Sequence, residues 1–168
     1  MKSGQVWIET VLYTLIGLSI IGVILAMVRP AIEEKRDEVT LQQAIDILKG
    51  IDNNIAEVIQ YGTGNSREVE ISLRKGQMLI NSTGNELYYS TESTSMFSEP
   101  GEVTNVAKNI KALTTERAKN RYFVEFRIKY SMNLTFTDKD IIKSLPASST
   151  PYNLVVTNKG NYIDFSLA

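Results

Sequence analysis

Gln5-Val-Trp-Ile-Glu9 runs directly into Thr10-Val-Leu-Tyr-Thr-Leu-Ile-Gly-Leu-Ser-Ile-Ile-Gly-Val-Ile-Leu-Ala-Met-Val28, and this stretch decides the fold. Residues 10–28 carry no charge. At about 1.5 Å per residue they span roughly 28 Å as a helix, close to the hydrocarbon thickness of a bilayer. Glu9 is one carboxylate at the mouth of that helix, four residues after Gln5. An acid near the centre of a spanning helix costs roughly 2.5–3.5 kcal/mol, and less near its end. A plain anchor has no reason to carry that cost.

Met1-Lys-Ser-Gly4 precedes the run and completes a pattern. Together, Gly4, Gln5, Glu9 and the apolar segment resemble the amino terminus of an archaeal type IV pilin precursor with a class III signal. The resemblance covers about the first thirty residues. It implies a leader, residues 1–4, removed by a membrane-embedded prepilin peptidase between Gly4 and Gln5. Trp7 stands where the family usually has Ser, and Tyr13 where it has Leu. In that family the glutamate pairs with the mature amino group of a neighbouring subunit, a role the resemblance assigns to Glu9 and Gln5. It further implies a structural subunit of a surface filament, held in membrane lipid, extracted by a pilus assembly ATPase and platform protein, and polymerised with copies of itself. An uncleaved single-pass anchor with an extracellular β domain for binding or accessory work is the alternative, and a minor pilin or archaellum accessory subunit is a variant of the first. Small residues Gly17, Ser19, Gly22 and Ala26 are candidates for close helix packing.

Orientation draws opposing signals. Only Lys2 precedes the run, whereas Arg29, Lys35 and Arg36 follow it, and charge counting alone puts the carboxyl-terminal part in the cytoplasm. The processing motif implies export instead, and two sequons suit it. These make Asn81 and Asn133 candidate glycosylation acceptors. The expected location is a single-pass cell membrane before assembly and the cell surface afterwards.

The 168 residues contain neither cysteine nor histidine. Disulfides, zinc thiolates and cysteine nucleophiles are thereby excluded, and the commonest general base is missing. No constellation of catalytic residues is visible, and no enzyme, cofactor or metal is expected. The net charge of −1 is not the footprint of a nucleic-acid module, so no nucleic-acid partner is expected. Asp138 and Asp140 lack the further ligands and glycine of a calcium loop.

Beyond the run, Leu41, Ala44, Ile45, Leu48, Ile51, Ile55, Val58 and Ile59 recur three or four apart, the stripe of an amphipathic helix. Pro30 predicts a kink or local melting over 27–31. The glycines at 62 and 64 predict a helix end near 61. A first strand alternates through Val69, Ile71 and Leu73, and a meander follows through 78–80 and 87–89. Every even position from Tyr122 to Phe136 is apolar, which predicts one long strand with a bend or bulge. A last hairpin pairs 154–157 with 162–167, with Ile163, Phe165 and Leu167 inward. Loops are expected at 91–104 and 138–151, with a short helix at 141–145. The expected fold is α+β. A helix over 5–61, membrane-spanning in its first half and amphipathic in its second, carries an antiparallel β-sheet or sandwich domain over 62–168.

Overall fold

The computed structural model describes residues 3–168, with side chains from Val6 onward. It consists of one helix, α1 (Ser3–Gln60), and ten strands. Two compact units divide at Arg36, inside α1, so the second half of the helix belongs with the sheets.

In the first unit the backbone stays helical through Pro30. The local melting expected at 27–31 is not seen. Proline removes a single donor, and the other hydrogen bonds of the helix persist around it.

In the second unit α1 turns one face inward. Leu41, Ala44, Ile45, Leu48, Ile51, Ile55 and Val58 are buried, while Ile59 at the end of the stripe is exposed. Full burial of an aliphatic side chain contributes about 1.5–3 kcal/mol, so this stripe is a principal cohesive surface. The helix stops where glycine permits it. Gly62 adopts φ 90° and donates to the carbonyl of Ile59. Asn65 donates its side-chain amide to the carbonyl of Tyr61 at 2.8 Å. These contacts satisfy carbonyls that the helix leaves unpaired at its end.

The strands are β1 (Ser66–Ile71), β2 (Gln77–Asn81), β3 (Glu86–Ser93), β4 (Val103–Asn105), β5 (Lys111–Ala118), β6 (Arg121–Lys129), β7 (Asn133–Phe136), β8 (Ile142–Pro146), β9 (Tyr152–Asn158) and β10 (Tyr162–Leu167). They form a four-stranded sheet, β1-β9-β10-β7, and a six-stranded sheet, β4-β5-β6-β3-β2-β8. Inward residues of both sheets join the helix stripe in one core, with Phe126, Phe165, Met78 and Leu134 fully buried. Phe97 meets Phe126 edge-to-face at 4.8 Å.

The even face from Tyr122 to Phe136 does bury Val124, Phe126, Ile128, Leu134 and Phe136. It is not one bent strand, however, because the chain leaves β6 at Lys129 and enters the other sheet as β7. There β7 pairs parallel to β10, the exception in an otherwise antiparallel set of named strand pairs. β1 is not part of a meander with β2, since its partner is β9, with Ser66 opposite Thr157. Residues 141–145 form no helix. β8 lies antiparallel on β2, where Leu145 faces Met78 and one inward side chain is enough to seat a short edge strand. The expected loop at 91–104 includes the end of β3 and the start of β4. Leu167 is exposed where it was expected inside, and Asp164 in the same strand is buried.

Asp164 is buried because it has partners. Its Oδ1 accepts from the Thr135 hydroxyl at 2.6 Å and from the backbone N–H of Asp138 at 2.7 Å. Asp138 in turn accepts from the Tyr162 hydroxyl and pairs with Lys159. The carboxylates at 138 and 164 thus hold the β7–β10 corner together, a structural task.

Candidate membrane and assembly segment

From Val6 to Val28 the large apolar side chains of α1 are exposed, with Trp7 at 72% and Met27 at 74%. The helix is long and apolar enough to cross a membrane by length and composition. Its polar side chains fit that environment. Thr10, Thr14 and Ser19 each donate their hydroxyl to the carbonyl four residues back, at 2.9, 2.8 and 2.7 Å. Each hydroxyl proton is therefore satisfied within the helix, as a hydrocarbon surrounding requires. Glu9 is exposed and is the one ionisable group between Val6 and Tyr13.

Helical spacing sorts the four small residues. At about 100° per residue, Ser19, Gly22 and Ala26 fall within an arc of about 60°, whereas Gly17 lies about 140–180° away. Three of the four therefore share a face and Gly17 does not. Apart from the adjacent helical backbone, no atom lies within 4 Å of where a Cβ on Gly17 or Gly22 would sit, so both positions are open to an approaching surface.

The expected cleavage bond and the pairing role of Gln5 depend on side chains and a terminus that lie outside the described residues, Met1 and Lys2 entirely so. The backbone of Gly4 and Gln5 is helical. Of the two sequon residues, Asn133 is exposed at the start of β7. Asn81 is half-buried at the end of β2, and its Oδ1 accepts the N–H of Gly84 at 3.0 Å. The Asn133 amide is the more accessible acceptor.

Sequence reasoning missed three polar constellations. Asp37 sits in the charged run 33–38, yet it is 7% exposed. Lys75 pairs with its Oδ1, and the backbone N–H and hydroxyl of Thr94 donate to its Oδ2 at 2.7 and 3.0 Å. Burial pushes this carboxyl up, but the Lys75 and Thr94 hydrogen bonds and the Lys75 charge together outweigh burial and hold it below the ordinary carboxylate value. Asp52 accepts from the Tyr130 hydroxyl at 2.9 Å and from the Asn109 amide at 3.1 Å. Burial, followed by the Asp52 charge and hydrogen bond, pushes the Tyr130 phenol well above its usual value. Glu86 bridges Arg127 and Lys129 at 3.4 and 3.7 Å. No local periodicity signals any of these, because each joins residues far apart in sequence.

Among the described residues, no group of three or more Asp and Glu is placed to hold a metal ion. No protein-family model, curated protein or solved structure matches the chain. What is present is an uncovered apolar helix with one acid near its start, and a separately cored β unit. The first is suited to lipid or to other apolar helices.

Proposed function

We propose that this chain is a structural subunit of an archaeal type IV pilus-like surface filament, cleaved after Gly4 and assembled through its apolar helix. The observation that carries the reading is the segment from Val6 to Val28. It is uncovered and apolar, its threonine and serine hydroxyls are bonded internally, and its charge is confined to Glu9. Apolar surface of that extent needs a dry partner, first lipid and then the helices of neighbouring subunits. Pairing of Glu9 with the new amino group at Gln5 of a neighbour would offset the cost of burying the acid and fix the register of assembly. The face shared by Ser19, Gly22 and Ala26 would allow a second helix to approach closely.

A second reading is a single-pass anchored β-domain protein that works at the cell surface without polymerising. The self-contained core of residues 37–168 suits it, since that unit needs no neighbour to bury its apolar side chains.

The mass of the amino-terminal peptide in sheared surface material separates the two. A terminus at Gln5, together with filaments that vanish in Glu9→Ala while membrane insertion persists, is the expected result. An intact residue 1–4 leader in native membranes favours the second reading. Normal filaments from Glu9→Ala would remove the pairing role.

A further inference from the structure

On the outward face of the six-stranded sheet, Lys111 of β5 lies directly opposite Arg127 of β6, and both are exposed. Like charges facing each other across an antiparallel pair are destabilising. Glu125, two residues before Arg127 on the same face of β6, stands beside the pair and lines a neighbouring hollow with both, outside the cleft itself. Glu86 is the one acid lining the same cleft, and its carboxylate is already shared between Arg127 and Lys129. Lys108 and Lys111 have no carboxylate within ion-pair distance among the described residues. Four cations against one acid thus line a concave surface of about 440 Å³.

The cleft is built and not incidental. The turn between β4 and β5 is closed by Val106 and Ala107 donating to the carbonyl of Ile110, at 2.9 and 3.4 Å. Asn109 is tied by its amide to Asp52 on α1, which fixes the segment that carries Lys108. Arg127 stacks over Tyr88 with its guanidinium carbon 5.5 Å from the ring centre, within the usual cation–π range. Asn105, opposite Lys111 in β4, adds an amide at the rim.

We infer that this cleft binds a sulfated or carboxylated glycan chain. Several cations held on a shallow surface suit a partner with repeated negative groups, and the Asn105 amide suits its hydroxyls. A single-stranded nucleic acid would need open aromatic faces on which bases stack. The cleft has no aromatic lining residue, and the nearby Tyr88 ring is covered by Arg127. The inference rests on residues of the second unit alone and does not depend on filament assembly.

The test uses the full chain in nonionic detergent and a fluorescent sulfated hexasaccharide, with binding followed by anisotropy at low and moderate salt. Binding that weakens with salt, and at least tenfold in Lys111→Glu, is expected. That substitution turns the repelling pair into an attracting one, so its unfolding temperature should rise while binding falls, which a misfolded variant cannot mimic. Lys119→Glu makes the same charge change at an exposed turn outside the cleft and should bind as the parent does. Equal losses in the two variants, equal affinity for the desulfated hexasaccharide or for a single-stranded DNA dodecamer, displacement by inorganic sulfate at matched concentration, or no binding would each overturn the inference.

Discussion

Asn158 donates its side-chain amide to the carbonyl of Val58 at 3.0 Å, and so closes the last turn of a helix one hundred residues upstream. The same residue is bonded on every side. Its backbone carbonyl accepts from Gly64 at 2.7 Å, its N–H donates to Asn65, and its Oδ1 accepts from Gly160 at 2.8 Å. One buried asparagine therefore joins the helix end, the chain that leads into β1, and the β9–β10 turn.

Asn158→Ala should lower stability by about 1–3 kcal/mol, the usual cost of leaving buried partners unsatisfied. Asn158→Asp should be at least as damaging at pH 7, because a carboxylate oxygen would face the Val58 carbonyl. Denaturant unfolding of both variants at pH 7 and pH 4 checks this. The Asp variant should recover relative to the Ala variant as its carboxyl protonates.

Gly76 holds φ 75°, and a Cβ there would lie 2.4 Å from the carbonyl oxygen of Ser90. The obstruction is backbone of a central strand and cannot swing aside. Gly76→Ala should therefore cost upwards of about 2 kcal/mol, from backbone strain and collision combined. Gly101 has a similar φ of 86° but open space around it. Gly101→Ala should show the strain alone, about 1 kcal/mol. Thermal unfolding of the pair separates collision from conformation.

The Asp37 carboxyl is held below its ordinary value of 3.8, so the folded state favours the charged form. Its contribution is complete above that value and is lost as pH falls through the lower folded value. Asp37→Asn should destabilise the protein at pH 7, by about 1–3 kcal/mol for a nearly buried carboxylate that loses a charge-assisted bond. The gap between parent and variant should close below pH 3.8. Melting temperatures measured from pH 7 down to pH 2.5 check both the sign and the window.

What could be read from the chain follows the range of the forces involved. The stripe from Leu41 to Val58 and the alternation from Val124 to Phe136 are periodic because one face of each meets the core, and period survives in sequence. The β9–β10 hairpin was legible from its turn residues. β5 was not, since its inward residues after Lys111 are Ala112 and Thr114, too small or too polar to mark a strand. β8 was misread as helix because Ile141 and Ile142 are adjacent and apolar yet both exposed. In the apolar half of α1, the run itself and Glu9 could be read directly. The separation of Gly17 from Ser19, Gly22 and Ala26 needed helical geometry applied residue by residue. Asp37, Asp52 and the cleft around Lys111 could not be read at all, because their partners come from strands that only the tertiary fold brings near.

The place of β10 between β9 and β7 carries a consequence for biogenesis. Every strand of the six-stranded sheet lies at or before Pro146, so a chain emerging from its amino end can close that layer early. β1 and β7 must wait, since the strands that join them are made last. During synthesis the nascent chain thus carries two orphan strands, whose exposed edges invite a chaperone or a wrong neighbour until residues 152–167 arrive.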